Sequence, residues 1–122
     1  MRWKRFSILL YLSLIVIGTM FSIFPAKSFS NGNGKLVYYI PIEQEVERGL
    51  LAFMERSIET ALEDGADYIV FEVNTPGGFV DAAGEISKLI QNTPVPTTAF
   101  IVGNALSAGA YISLHADQIV MT

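Results

Sequence analysis

The chain has 122 residues, 51% of them hydrophobic, with 12 acidic and 8 basic residues and a formal net charge of −4. That length holds one small domain at most. The lack of cysteine excludes a disulfide framework and a thiolate metal site, and the single His115 excludes a histidine-rich one.

The first thirty residues read as a separate export unit. Arg2, Lys4 and Arg5 make a positive start, and the 19 residues from Phe6 to Phe24 carry no charge. Pro25 follows, and Ala26-Lys27-Ser28 and Ser28-Phe29-Ser30 place small residues at cleavage spacing. The layout predicts a signal peptide over residues 1–30, although an apolar run of that length also suffices for an uncleaved membrane anchor. In both cases the remainder is expected outside the cytoplasm, membrane-associated or released, with the basic end inside.

Asn31-Gly32-Asn33-Gly34 predicts a linker, and residues 35–122 the folded part. All twelve acidic residues lie between Glu43 and Asp117, opposed after Asn31 only by Lys35, Arg48, Arg56 and Lys88, a net −8. Such a surface disfavours nucleic acid and anionic lipid headgroups as partners.

Leu36-Val37-Tyr38-Tyr39-Ile40 reads as a strand closed by Pro41. From Glu43 to Glu63, Val46, Leu50, Phe53, Met54, Ile58, Ala61 and Leu62 recur at helical spacing, and Asp64-Gly65 ends that helix. Tyr68 to Val73 is an almost continuous apolar run, the pattern of a strand covered on both faces. Asn74-Thr75-Pro76-Gly77-Gly78 predicts a sharp break, followed by a helix from about Val80 to Gln91. Thr98 to Val102 forms a third predicted strand, Ala105 to Leu114 a short helix, and Gln118 to Met121 the start of a fourth strand. Alternating strands and helices predict an α/β fold with mostly parallel strands and right-handed crossovers. With no closing helix after the last strand, the sequence reads as the opening part of a longer protein.

Two loops fall at the carboxyl ends of predicted strands, where parallel α/β sheets bind ligands. One is Asn74-Thr75-Pro76-Gly77-Gly78 and the other Gly103-Asn104-Ala105-Leu106-Ser107. Gly77 and Gly78 allow a ligand to approach backbone N–H groups, and the Ala108 N–H follows Ser107 at a helix start. Two donors aimed at one point make an oxyanion hole, and Ala105-x-Ser107-x-Gly109 resembles a nucleophile elbow with alanine in its first small position. Taken singly, Pro-Gly-Gly is also an ordinary turn, and a serine among small residues also serves packing. No Gly-Lys-Ser/Thr follows the glycines, so a phosphate-binding P-loop is disfavoured.

The ordered set Asn74-Thr75-Pro76-Gly77-Gly78, Ser107-Ala108-Gly109-Ala110-Tyr111 and Ala116-Asp117-Gln118-Ile119-Val120-Met121 resembles the Clp-protease (ClpP) class of serine peptidases. Within that class it is similar to the membrane-bound NfeD-type group, related to signal peptide peptidase A, over about residues 35–122. The resemblance implies a ClpP/crotonase-like fold with Ser107 as nucleophile. Gly77, Gly78 and Ala108 would supply the oxyanion hole. It further implies a Ser–Lys dyad without metal or cofactor, acting on apolar segments of membrane proteins. A stomatin-like protein would be substrate or partner, and the protein would form homo-oligomers. A lysine can act as base when desolvation lowers its pKa.

The base is the departure from that pattern, because the family's lysine lies downstream of Thr122. Lys88 on a helix, Lys35 at the first strand and Lys27 in the export segment do not match its position. His115 follows Ser107 by two helical turns, roughly 12 Å of rise, too far for a base and suited to a helix end. The segment taken alone is therefore expected to be inactive. Two other readings stand beside the peptidase: a crotonase-type acyl-thioester enzyme, and a non-catalytic membrane scaffold or truncated remnant.

Overall fold

A computed structural model describes residues 34–122 together with Ile8 and Ser13. The chain divides into two compact units, residues 1–33 and 34–122. In the first, Ile8 and Ser13 are helical and exposed; the rest of the expected export segment and residues 31–33 of the linker lie outside the described residues. Among the described residues no helix is long and apolar enough to cross a membrane.

The second unit is built from β1 (Val37–Val46), α1 (Arg48–Glu63), β2 (Tyr68–Gly78), α2 (Val80–Gln91), β3 (Thr97–Ala105), α3 (Ala108–Ser113) and β4 (Gln118–Met121). The strands form one sheet in the order β1-β2-β3-β4, and every pair is parallel, as the alternating pattern predicted. α1 lies on β1, α3 lies on β2 and β3, and α2 packs against both α1 and α3.

Burial follows the register. The row Ile40, Phe71, Ala99 is buried under the helices, with Ile42, Val73, Met54, Ile58, Ile86 and Ile112 around it. The row Tyr39, Val70, Thr98, Gln118 lies on the opposite face, where Tyr39 is 64% exposed and Val70 half-buried. The expectation that β2 is covered on both faces is therefore not met among residues 34–122. Its burial alternates, since period-2 side chains meet helices on one side only.

Several boundaries also differ from the sequence reading: β3 runs on to Ala105, and α3 starts at Ala108 rather than Ala105. β1 continues through Pro41 to Val46, and α1 starts at Arg48 rather than Glu43. Proline is tolerated because β1 is an edge strand, where a missing N–H can face away from the ladder. Asn74 to Gly78 is likewise a continuation of β2 rather than a break. The two extensions support each other: Glu45 pairs with Gly77 and Val46 with Gly78, after a register shift at Gln44, whose φ is +59°.

The amino ends of the strands are closed by carboxylates. Asp67 accepts the Leu36 N–H at 2.8 Å, while its own N–H donates to the Leu36 carbonyl at 2.8 Å. Asp117 accepts the N–H (2.8 Å) and hydroxyl (3.0 Å) of Thr97, and its N–H donates back to Thr97 Oγ1. Asp117 of the Ala116-Asp117 motif thus has a structural use, holding β4 to the start of β3.

Candidate active site

The two loops singled out in the sequence meet at the carboxyl end of the sheet. A Cβ on Gly77 would lie 2.7 Å from the Leu106 carbonyl oxygen, 3.0 Å from Ser107 Cβ and 3.2 Å from the Ala108 nitrogen. Only a residue without a side chain permits that contact, and Gly77 also has φ +96°, which favours glycine. Gly78 is constrained by a different neighbour: its Cβ would fall 2.3 Å from the Val46 carbonyl oxygen. The first glycine therefore serves the contact with the serine turn, and the second the pairing with β1.

Ser107 lies between the end of β3 and the start of α3, with φ 49° and ψ −114°. Serine at a helix N-cap usually accepts a backbone N–H with its side chain. Here the hydroxyl makes no capping hydrogen bond, and the residue is exposed. A non-glycine residue in such a conformation costs on the order of 1–3 kcal/mol and persists only where its surroundings impose it. A strained serine on a strand-to-helix turn is the geometry of a nucleophile elbow. The surroundings are identifiable: the Leu106 N–H donates to the Thr75 carbonyl at 3.2 Å, the Gly109 N–H to the Leu106 carbonyl at 2.8 Å, and the Tyr111 N–H to the Ser107 carbonyl at 3.1 Å. Ala108, the next residue, is buried.

Thr75 lies in the glycine loop, and nothing in the local sequence marks it out. It is fully buried, its hydroxyl donates to the Gln44 carbonyl, and Oγ1 accepts the Gly77 N–H at 3.1 Å. Asn74 bridges the two loops: its side-chain oxygen accepts the Asn104 N–H at 3.1 Å and lies 2.4 Å from where a Gly103 Cβ would be. Gly109 is equally confined, because its Cβ would meet Thr75 Cγ2 at 2.5 Å. The only sequence signal for these roles was the clustering of small and short polar residues in both loops.

Among the described residues neither lysine is hydrogen-bonded to Ser107. Lys88 pairs with Glu85 at 3.0 Å on the exposed side of α2, and Lys35 is exposed before β1. His115 Nδ1 is 2.9 Å from the Tyr111 carbonyl, and its ring packs edge-on against Tyr111, as expected of a helix-end histidine. No group of three or more His, Asp or Glu side chains among the described residues is placed to hold a metal ion. A groove of about 350 Å³ lined by Glu47, Arg48, Phe79 and Asp81 begins at the residue after the glycine pair.

A parallel sheet carrying a glycine loop against a serine elbow defines a ClpP-like fold. ClpP1 from Listeria monocytogenes shares that fold, with a TM-score of 0.62 at 24% identity over 64% of this chain and 46% of that one. Residues 36–122 match the family described as NfeD1b, N-terminal domain, and the chain belongs to this family. It is 48% identical over 85 residues to the membrane protein NfeD1b of Bacillus subtilis, and 33% identical over 89 residues to the membrane-bound protease PH1510 of Pyrococcus horikoshii. Each alignment covers 70% of this chain but 20% of the relative, so the chain spans about a fifth of their length. Among solved structures, the 1510-N membrane protease specific for a stomatin homolog from Pyrococcus horikoshii superposes with a TM-score of 0.67. It is 32% identical, over 72% of this chain and 46% of that one. A lysine-to-alanine mutant of 1510-N in complex with a substrate peptide gives a TM-score of 0.67 at 30% identity, over 74% and 42% of the two chains.

Proposed function

We propose that residues 35–122 form the nucleophile-bearing part of a membrane-associated serine endopeptidase, with Ser107 as nucleophile. The observation that carries this reading is the contact of Gly77 with the strained Ser107-Ala108 turn. It brings the glycine loop and a serine hydroxyl free of capping to one point at the carboxyl edge of the sheet.

Ser107 Oγ adds to the carbonyl carbon of the scissile peptide as its proton passes to a lysine amine. The carbonyl oxygen takes up negative charge between the Ala108 N–H and a donor from the Gly77-Gly78 loop. Collapse breaks the C–N bond, and the lysine returns the proton to the departing amine. Water, deprotonated by the same lysine, then hydrolyses the Ser107 ester. The lysine comes from outside residues 34–122, so this segment alone is inactive. The matched mutant of 1510-N, which exchanges a lysine for alanine and holds a substrate peptide, supports a lysine in that role.

Substrates are apolar peptide segments of membrane proteins, a stomatin-like protein among them, cut outside the cytoplasm by a homo-oligomer. Support comes from the relatives, one named a membrane-bound protease and one a protease specific for a stomatin homolog. The exposed apolar side chains of Phe79, Val80 and Leu106 beside both loops fit such substrates. Residues 1–30 direct export, as signal peptide or anchor.

Treatment of the full-length protein with a fluorophosphonate probe tests the reading. One adduct at Ser107 is expected, lost completely in Ser107→Ala. A wild-type protein that takes up no label, or a Ser107→Ala variant that labels equally, overturns it.

A further inference from the structure

Thr75 has one proton to donate and two acceptor lone pairs. The proton goes to the Gln44 carbonyl, which stands at the register shift of β1 where φ is +59°. With the hydroxyl rotor fixed by that bond, a lone pair accepts the Gly77 N–H at 3.1 Å, two residues along the same loop. This is a side-chain-closed turn, and it holds Gly77 in the left-handed conformation that faces the Ser107-Ala108 backbone. The same residue reaches the serine turn through its backbone, where its carbonyl accepts the Leu106 N–H. Two segments distant in sequence, at Gln44 and Leu106, therefore converge with Gly77 of the same loop on one buried threonine, and apolar packing requires only its methyl group.

We propose that Thr75 is a positioning residue: its hydroxyl, clamped by the Gln44 carbonyl, sets the Gly77 peptide against the Ser107 turn and thereby aligns the oxyanion loop with the nucleophile. This rests on the peptidase reading above. Hydroxyl and methyl have separable consequences. Losing the hydroxyl frees the Gly77 peptide to rotate, whereas losing the methyl leaves a small void beside Gly109.

The test compares Thr75→Ala with Thr75→Ser in the full-length protein, since both lack the methyl and differ only in the hydroxyl. Thr75→Ala should lower the fluorophosphonate inactivation rate constant about 10²-fold, the size of effect produced by misplacing a reacting group by an ångström. Probe affinity should be unchanged, and Thr75→Ser should label close to the wild-type rate. Hydrogen–deuterium exchange of the peptide containing Gly77 should rise in Thr75→Ala and not in Thr75→Ser, a readout independent of any activity. Equal labelling of the two variants, equal exchange at Gly77, or a loss confined to probe affinity overturns the positioning role. If the wild type does not label while exchange at Gly77 follows the hydroxyl, the peptidase reading fails and the turn-closing hydrogen bond survives. Should Thr75→Ala not fold, Thr75→Val retains the shape and is judged by the same comparison with Thr75→Ser.

Discussion

The two ends of the sheet are built on opposite principles. At the amino end, Asp67 and Asp117 close backbone groups of Leu36 and Thr97 in reciprocal hydrogen bonds, leaving the strand starts satisfied. At the carboxyl end no carboxylate among the described residues makes a hydrogen bond between the loops. Gly77 and Gly109 clear space, Thr75 closes a turn, and Ser107 is left strained and exposed. The first end uses charge to end strands; the second uses missing side chains to bring the glycine loop against an exposed serine. Substitutions at the two ends should therefore separate reactivity from stability.

The largest effect belongs to Gly77→Ala. Its Cβ must displace the Leu106 carbonyl and Ser107, so fluorophosphonate labelling should fall about 10²–10³-fold, as when an oxyanion donor is lost. Labelling that survives with a melting temperature near wild type would show that the contact has no part in reactivity. Next is Gly109→Ala, whose Cβ meets Thr75 Cγ2, with a stability loss of about 2 kcal/mol from overpacking. Combining it with Thr75→Ser removes the clashing methyl and should recover most of that loss in a denaturant titration. A double variant no more stable than Gly109→Ala would place the strain elsewhere.

Asp117→Asn should cost about 1 kcal/mol, because the site is exposed and the hydrogen bonds persist without the charge. Labelling of Ser107 should be unaffected, which distinguishes the amino end from the carboxyl end. The smallest effect concerns Tyr38, whose hydroxyl donates to Asp64. That hydrogen bond, then desolvation and the carboxylate charge, raises its pKa above 10.0. Folding thus favours the protonated phenol, so its contribution is present at neutral pH and is lost as pH climbs through the raised pKa. Tyr38→Phe should flatten the alkaline limb of the stability curve; an identical alkaline limb would show that this bond contributes nothing to stability.

Much of the fold was legible because apolar spacing reports on helices and strands directly. α2 begins and ends where the periodicity of Ala83, Ile86, Leu89 and Ile90 predicted, and β4 coincides with Gln118 to Met121. The misreadings fall at the carboxyl ends of the strands, including Ala105, expected in a helix but found in β3. Glu43 to Val46 carries an apolar residue at helical spacing, and Asn74 to Gly78 carries proline and two glycines, so local patterns favour a helix start and a turn. Pairing of Glu45 with Gly77 and Val46 with Gly78 overrides both. Cross-strand pairing is a property of two segments about thirty residues apart, and neither segment contains it alone.

The site divides in the same way. By itself the sequence determined that a serine among small residues follows one strand and a glycine pair ends another, because motif spacing and residue type are local properties. The tertiary structure alone decided that those strands are neighbours, that Gly77 rather than Gly78 faces Ser107, and that Thr75 ties both loops to the edge strand. These are contacts of ångström closeness between backbones, and they exist only once a parallel sheet has set its register.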